Sequence, residues 1–169
     1  VRSAESKNIP QSPIPNPQSI DPENRLLWKH NRRRLAAHEI RDAMLAVSGG
    51  LNRIAGGPSI MAPVDQELID LLYKPSQWEV TPQERDHFRR SIYLIAKRNL
   101  RLPFMEVFDQ PDFQTSCARR ESSVHAPQAL EMLNGKFSNH LAQVFAKRLR
   151  QEAGSDAAAQ IDLAYHLTT

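Results

Sequence analysis

The sequence contains a single cysteine, Cys117, among 169 residues. One cysteine excludes an internal disulfide framework and a cysteine-based zinc cluster, and it leaves the redox compartment undecided. The six histidines are scattered without metal-ligand spacing, so we predict no metal site. No run of about 18 apolar residues occurs, and we therefore predict no membrane span. Residues 1–8 are polar, so no secretory signal is visible at the start.

The net charge of the chain is small, and aromatic side chains are scarce. The 22 Lys and Arg residues exceed the 19 Asp and Glu residues by a net charge of only +3, and aromatic residues make up 7% of the chain. Nucleic-acid-binding proteins usually carry a strongly basic surface, often with aromatic side chains for base stacking. The composition therefore predicts no nucleic-acid partner.

Enough apolar residues are present, 40% of the chain, to fill one core. The prolines of residues 1–20 lie among Ser, Gln and Asn, which predicts an extended Pro-rich arm or linker. Residues 21–169 are predicted to form a single helical domain. Because the chain begins without Met and ends abruptly at Thr169, we expect it to be a fragment of a longer protein.

Helical signals dominate the chain. Asp21-Pro22-Glu23 is a typical helix start, and Gly49-Gly50 a typical end. Between them, one apolar face is predicted, with Arg41 and Asp42 turned away from it. The members of that face are Ala36, Ile40, Ala43, Met44 and Val47.

Further helices are predicted at residues 126–134, from Lys136 onward, and after Asp156, with Asn134-Gly135 as a left-handed helix end. The fold class is therefore mainly α, an irregular multi-helix domain. Residues 77–80 and 91–96 are the only stretches with strand character, which leaves room for one small two-stranded β element.

Two short motifs suggest chemistry. Cys117 stands near two arginines and eight residues before His125, so a thiolate favoured by positive charge could be paired with a histidine base. The alternative is a cysteine packed in the core and a His125 or Ser123 that lies at a helix cap. Gly56-Gly57-Pro58 lacks the lysine and spacing of a phosphate-binding loop, which favours a plain connector.

Several motifs, in fixed order, resemble a planctomycete domain of unknown function, the PSD-type domain. The resemblance covers about residues 21–169 and departs from the family at Ser122-Ser123-Val124-His125, where relatives often read T-T-x before A-P-Q-A-L. The motifs are N-R-R-R-L-A-A-H-E-I-R-D-A-M-L-A-V-S-G (31–49), G-G-P-S (56–59), F-R-R-S-I-Y-L-I-A-K-R-N-L (88–100), F-D-Q-P-D (108–112), S-C-A-R-R (116–120) and A-P-Q-A-L-E-M-L-N (126–134).

The resemblance implies a place near the C-terminus of large exported proteins that often carry a separate cytochrome-c-like domain. It implies an extracytoplasmic location and haem on another domain, with no cofactor in this chain. The leading hypothesis is a non-catalytic structural or interaction module, whose partners are other domains of the same polypeptide or another protein. Arg90, Arg98 and Arg120, from the motif segments, are its candidate anion- or partner-binding residues.

The alternative hypothesis is an extracytoplasmic enzyme, a hydrolase or redox enzyme acting on polysaccharide-derived material. Its site would lie near Cys117, Arg120 and His125 and would be completed by an upstream domain.

Overall fold

The computed structural model describes residues 17–168, and these divide into two compact units, one that ends at Arg34 and one that begins at Leu35. The predicted Pro-rich arm, residues 1–20, lies outside the described residues except for one helical turn at its end. The arm therefore stays a prediction.

Helices make up nearly all the regular structure of residues 17–168, which confirms the mainly α fold class. In this part of the chain the backbone forms eight α-helices, two 3-10 turns and no sheet. The helices are α1 (Pro17–Ile20), α2 (Ala37–Ser48), α3 (Gln66–Asp70), α4 (Glu84–His87), α5 (Pro103–Val107), α6 (Ala126–Asn134), α7 (Lys136–Ala153) and α8 (Ala157–Thr168). The 3-10 turns are Pro75–Gln77 and Ser91–Tyr93.

The helix predicted to begin at Asp21 does not form there, and this prediction was wrong. The Asp21 carboxylate instead accepts hydrogen bonds from the backbone N–H groups of Arg25 (2.9 Å) and Leu26 (2.7 Å). Asn24 and Leu27 both have left-handed backbone angles, with φ values of 56° and 55°. A side chain that bonds nearby amides offers the backbone an alternative to helix, and this segment takes it.

The α2 helix begins only at Ala37 and ends as predicted, with Gly49 in a left-handed conformation at φ 80°. Its buried face matches the predicted one only in part: Ile40 and Met44 are partly buried and pack against the core, but they are not its most buried residues. Ala37, Arg41, Leu45 and Ser48 are the buried residues of α2, so the buried face is shifted by about one residue along the helix. Arg41, which was expected to face away from the core, is 5% exposed.

The two-stranded β element expected around residues 77–80 and 91–96 is absent, and this is a correction. The backbone near residue 94 bonds instead to Ile60, which donates to the Tyr93 carbonyl (2.8 Å) and accepts from the Ile95 amide (2.9 Å). This is one isolated parallel bridge, Ile60 with Leu94. The 3-10 turn at Ser91–Tyr93 limits the pairing, because the Tyr93 amide donates to the Arg90 carbonyl and the Ser91 carbonyl accepts from the Leu94 amide.

Two apolar clusters form the core of residues 35–168. In one cluster, Ala37 of α2 packs with Phe104 and Met105 of α5 and with Phe108, the residue that follows α5. The other joins Ile69, Leu72 and Trp78, and partly buried Leu102 packs against both clusters. The longest helix, α7, contacts α2, α6 and α8, so it holds the helices around the first cluster.

Candidate functional site

The site begins with Arg41, a buried cation on α2. Its Nη1 donates to the Arg89 carbonyl (2.9 Å) and to Ser91 Oγ (3.1 Å), and its Nη2 donates to the His87 carbonyl (2.5 Å). Burial lowers the pKa of Arg41 to about 10, while the neighbouring Asp42 opposes that shift. A pKa near 10 leaves the guanidinium charged at neutral pH, so Arg41 ties α2 to residues 87–91 as a cation.

Asp42, the next residue, holds the same segment from the other side. Its Oδ1 accepts hydrogen bonds from the backbone N–H of Ser91 (2.8 Å) and from Ser91 Oγ (2.7 Å). The same oxygen lies 3.7 Å from Nη1 of Arg41. Arg41 and Asp42 therefore satisfy both the carbonyls and the amide of a turn that is nearly fifty residues away in sequence.

Arg89 is the second buried arginine, and it clamps the glycine-rich loop. Its Nη1 donates to the Pro58 carbonyl (3.1 Å), and its Nη2 donates to the Gly56 carbonyl. The guanidinium carbon lies 3.8 Å from the ring centroid of Tyr93, whose hydroxyl accepts from the Gly56 amide (2.8 Å). The loop is thus a structural connector whose polar backbone groups face an arginine and a tyrosine of the chain itself.

A pocket of about 460 Å³ opens next to Arg41. Apolar side chains form most of its wall, including the rings of Phe88, Phe104 and Phe137. Two of these rings, Phe104 and Phe137, meet edge to face with centroids 5.3 Å apart. Its charged and imidazole groups are Arg41, Asp65, Glu84, His87, Glu131, Lys136 and His140. A pocket of this size and lining is typical of a small-molecule or side-chain binding site.

Lys136 and Asp65 form an ion pair at the pocket, with Nζ 2.6 Å from Oδ1. The hydrogen bond to Asp65 and its negative charge raise the pKa of Lys136. Both side chains are more than half exposed, so water screens the pair and its contribution to stability is small. The pair links the first turn of α7 to the residue that precedes α3.

Glu131 lies at the α6–α7 junction, and burial raises the pKa of its carboxyl. Gly135, between the two helices, has a φ of −60° and not the predicted left-handed conformation, so that prediction was wrong. Its lack of a side chain matters for another reason. A Cβ built at residue 135 would overlap both the carboxyl oxygen Oε1 and the backbone carbonyl oxygen of Glu131, so the junction of the two helices leaves room only for glycine.

The predicted nucleophile, Cys117, is an exposed free thiol, so the alternative of a cysteine packed in the core is wrong. Its Sγ donates to the Arg119 carbonyl at 3.1 Å. His125 is exposed at the N-cap of α6, and its side chain makes no capping hydrogen bond. Within residues 17–168, no hydrogen bond joins the thiol to His125.

Ser123 binds Asp109 instead of capping α6. Asp109 accepts from the Ser123 amide (2.8 Å) and from Ser123 Oγ (2.6 Å), and it has a left-handed φ of 62°. Buried Gln128 donates from Nε2 to the Val107 carbonyl at 3.1 Å. This second polar cluster fastens the loop before α6 to the end of α5.

Arg90, Arg98 and Arg120 are all exposed and have different surroundings. Nε of Arg90 is 3.8 Å from Oδ2 of Asp42, and Nη1 of Arg120 is 3.5 Å from Nδ1 of His38. The Arg98 carbonyl accepts a hydrogen bond from the Gln114 side chain (3.4 Å). Their role in binding an anion or a partner stays a prediction.

Sequence reasoning missed Arg41 and Arg89, although a signal for Arg41 existed. Arg41 follows Ala37 and precedes Leu45 by four residues, which is the spacing of one helix face. For Arg89 no comparable signal exists, because the carbonyls that accept its hydrogen bonds lie more than thirty residues earlier in the chain.

Residues 17–168 contain no group of three or more His, Cys, Asp or Glu side chains arranged to hold a metal ion. No helix among those residues is both long enough and apolar enough to cross a bilayer.

Comparison with known proteins places nearly the whole chain in a family. The model of the PSD1 family, described as a protein of unknown function (DUF1553), matches residues 6–169. No curated protein and no solved structure matches the chain. The predicted resemblance is thus confirmed at the level of the family.

Proposed function

We propose that this chain, which belongs to the PSD1 family of proteins of unknown function, is a non-catalytic interaction module that binds its partner in the pocket beside Arg41. The observation that carries the proposal is the lining of that pocket. Three phenylalanine rings and other apolar side chains surround a volume of about 460 Å³. An apolar group that enters such a pocket displaces water from its walls, and this lowers the free energy of the system.

Buried Arg41 and its neighbour Asp42 give the pocket a fixed shape. Arg41 and Asp42 fasten α2 to residues 87–91, and His87 and Phe88 of that region line the pocket. A preformed site loses little conformational entropy on binding. These contacts support a binding role in which the scaffold stays in place and the partner supplies the group that enters.

The setting of the module is also part of the proposal. The motif resemblance supports a place in a large exported, cytochrome-associated planctomycete protein, in an extracytoplasmic compartment and with haem on a separate domain. The partner is then another domain of the same polypeptide or a second protein. Exposed Arg90, Arg98 and Arg120 would add contacts to an acidic part of that partner.

Site-specific photocrosslinking in the natural full-length protein tests this function. Benzoylphenylalanine would replace His140, an exposed residue of the pocket wall, and in a matched control His125, an exposed residue outside the pocket. We expect residue 140 to crosslink to one defined apolar peptide outside residues 35–169, and residue 125 not to do so.

Peptide mapping by mass spectrometry identifies the crosslinked segment. Crosslinks from residue 140 that stay within residues 35–169, or equal yields at both positions, would contradict the proposed binding site. Mapping the peptide to a cytochrome-like domain would support the haem-associated setting, and mapping it elsewhere would remove that part of the proposal.

A further inference from the structure

The charges around the pocket do not balance, and the excess is negative. The two cations with fixed charge, Arg41 and Lys136, each have an acidic neighbour, Asp42 and Asp65. Among residues 17–168, the ion pairs include neither of the remaining pocket carboxylates, which are those of Glu84 and Glu131.

Of these two carboxylates, Glu131 is the one placed to act on a ligand. Glu84 is exposed in the first turn of α4, whereas Glu131 is half-buried against Gly135. Burial raises the pKa of its carboxyl, and no neighbouring cation counters that effect. A carboxylate that has lost part of its water gains most from a cation that replaces the lost solvation.

The rest of the wall suits the apolar part of a cationic ligand. Phe104 and Met105 are buried in it, and Phe88 and Phe137 are half-buried. Aromatic faces attract ammonium and guanidinium groups in addition to burying an apolar stem. The guanidinium carbon of Arg41 already lies 5.6 Å from the centroid of the Phe137 ring.

The same site is expected to bind an anionic ligand more weakly. The hydrogen-bond donors of Arg41 are directed at two carbonyls and a hydroxyl, and Lys136 is bonded to Asp65. A carboxylate would have to displace one of these partners and would meet Glu131. The charge distribution therefore favours a cation.

We propose that the pocket binds an ammonium or guanidinium group on an apolar stem, with Glu131 opposite the cation and the phenylalanine rings around the stem. This inference rests on the proposed binding function and specifies the chemistry of the occupant. The proposed occupant is a lysine or arginine side chain of the partner, which carries such a group; a free aryl-alkyl amine is the other source that the titrations distinguish.

Calorimetric titration of the full chain with three probes of similar shape tests the charge preference. Phenethylamine is the cation, phenethyl alcohol the neutral analogue and hydrocinnamate the anion. We expect the amine to bind at least about tenfold more tightly than the alcohol. This is the gain in affinity that a hydrogen bond to a charged group typically gives. We expect the anion to bind more weakly than both.

The variant Glu131→Gln identifies the residue responsible. We expect the ratio of amine to alcohol affinity to fall close to one, while alcohol affinity is retained. Glu121→Gln is the matched control, since Glu121 is exposed and does not line the pocket, and it should keep the wild-type ratio. Retained alcohol affinity also shows that the variant is folded around the pocket.

The outcomes separate this inference from the function on which it rests. Equal affinities for amine, alcohol and anion would overturn the cation preference and leave the binding pocket standing. No binding of any probe, at concentrations where the protein stays folded, would count against both. A wild-type ratio in Glu131→Gln would overturn the role of Glu131.

Titration with Nα-acetyl-lysine methylamide distinguishes the two sources of the cation. Tighter binding of this lysine analogue than of phenethylamine indicates a side chain of a protein partner. The reverse order indicates a free amine, and it would overturn the lysine side chain as the natural occupant. If a glutamine variant proves unstable, Phe104→Leu provides a second test, because it should weaken all three probes while keeping their order.

Discussion

Two pairs of consecutive arginines, Arg89-Arg90 and Arg119-Arg120, differ in their structural roles. In Arg89-Arg90, the first arginine is buried and binds the carbonyls of Gly56 and Pro58. In Arg119-Arg120, both side chains are exposed. The first pair is followed by the apolar stretch 92–95, and the second pair by Glu121 and Ser122. An arginine becomes structural where carbonyls from another segment converge on it.

The largest effect is expected from Arg41→Met. Loss of the guanidinium leaves three acceptors of the 87–91 segment without a donor and removes one of the two cations beside Asp42, which should lower the free energy of unfolding by about 3–5 kcal/mol. Arg120→Met removes an exposed arginine and should change that energy by less than about 0.5 kcal/mol. Urea denaturation followed by circular dichroism measures both, and equal losses would remove the distinction between buried and exposed arginines.

Arg89→Met should have the next largest effect. The variant loses the clamp on the Gly56–Pro58 carbonyls and the stack on Tyr93, so we expect a loss of about 2–3 kcal/mol. Arg119→Met is the matched control from the exposed pair, with a change below about 0.5 kcal/mol. Thermal unfolding of the two variants compares the arginine pairs directly, and an Arg89→Met protein as stable as Arg119→Met would contradict the clamp.

Ser123→Ala tests the cluster that fastens the exposed loop to α5. The substitution removes the hydroxyl that donates to Asp109 at 2.6 Å, and we expect a loss of about 1 kcal/mol. Ser122→Ala changes an exposed neighbour with the same chemistry and should be close to neutral. Chemical denaturation of both variants gives the comparison; no difference between them would mean that the Asp109–Ser123 bonds do not hold the loop.

A smaller effect concerns Glu131 and pH. Burial raises the pKa of its carboxyl, so the folded state holds this proton more tightly than the unfolded chain. Stability from this group is present below the unfolded pKa, about 4.3, and is lost as the pH rises through the folded-state pKa.

The glutamine variant cannot titrate at this position. The stability of Glu131→Gln relative to wild type should therefore increase between about pH 3 and pH 7, by less than about 1 kcal/mol because solvent screens the partly exposed carboxyl. Unfolding curves across this range check the sign. A decrease would mean that a cation of the chain stabilises the carboxylate.

The smallest effect is expected at the exposed loop. Cys117 should react with a thiol reagent in the folded protein, because its side chain is exposed. His125→Ala should leave the labelling rate unchanged, since the thiol donates to the Arg119 carbonyl and not to the imidazole. A marked fall in the labelling rate of His125→Ala would instead support a catalytic cysteine–histidine pair.

Local signals in the sequence explain the helices that were predicted correctly. Gly49 ends α2 and Pro127 stands in the first turn of α6, because both residues act through their own backbone geometry. The same reasoning failed at Asp21, where a side chain that can cap a helix bonded the next turn instead.

The site could not be predicted in the same way, because its parts are distant in sequence. The pocket wall combines residues of α2, the segments around residues 62–65 and 84–88, α5, and the α6–α7 junction. Apolar periodicity predicts that each segment packs, but not which segments meet. Likewise, no local pattern shows that Glu131 lies beside a pocket while Asp65 has Lys136 as its partner.

The most direct test of the account is to locate a bound ligand on the protein. Two-dimensional ¹H–¹⁵N spectra of the labelled chain, recorded during titration with phenethylamine, report on every backbone amide. We predict saturable shifts at Phe88, Glu131, Phe137 and His140, and unchanged peaks across residues 111–124. Shifts confined to residues 111–124, or an absence of saturable shifts at the pocket, would contradict the claim that this chain binds through the pocket beside Arg41.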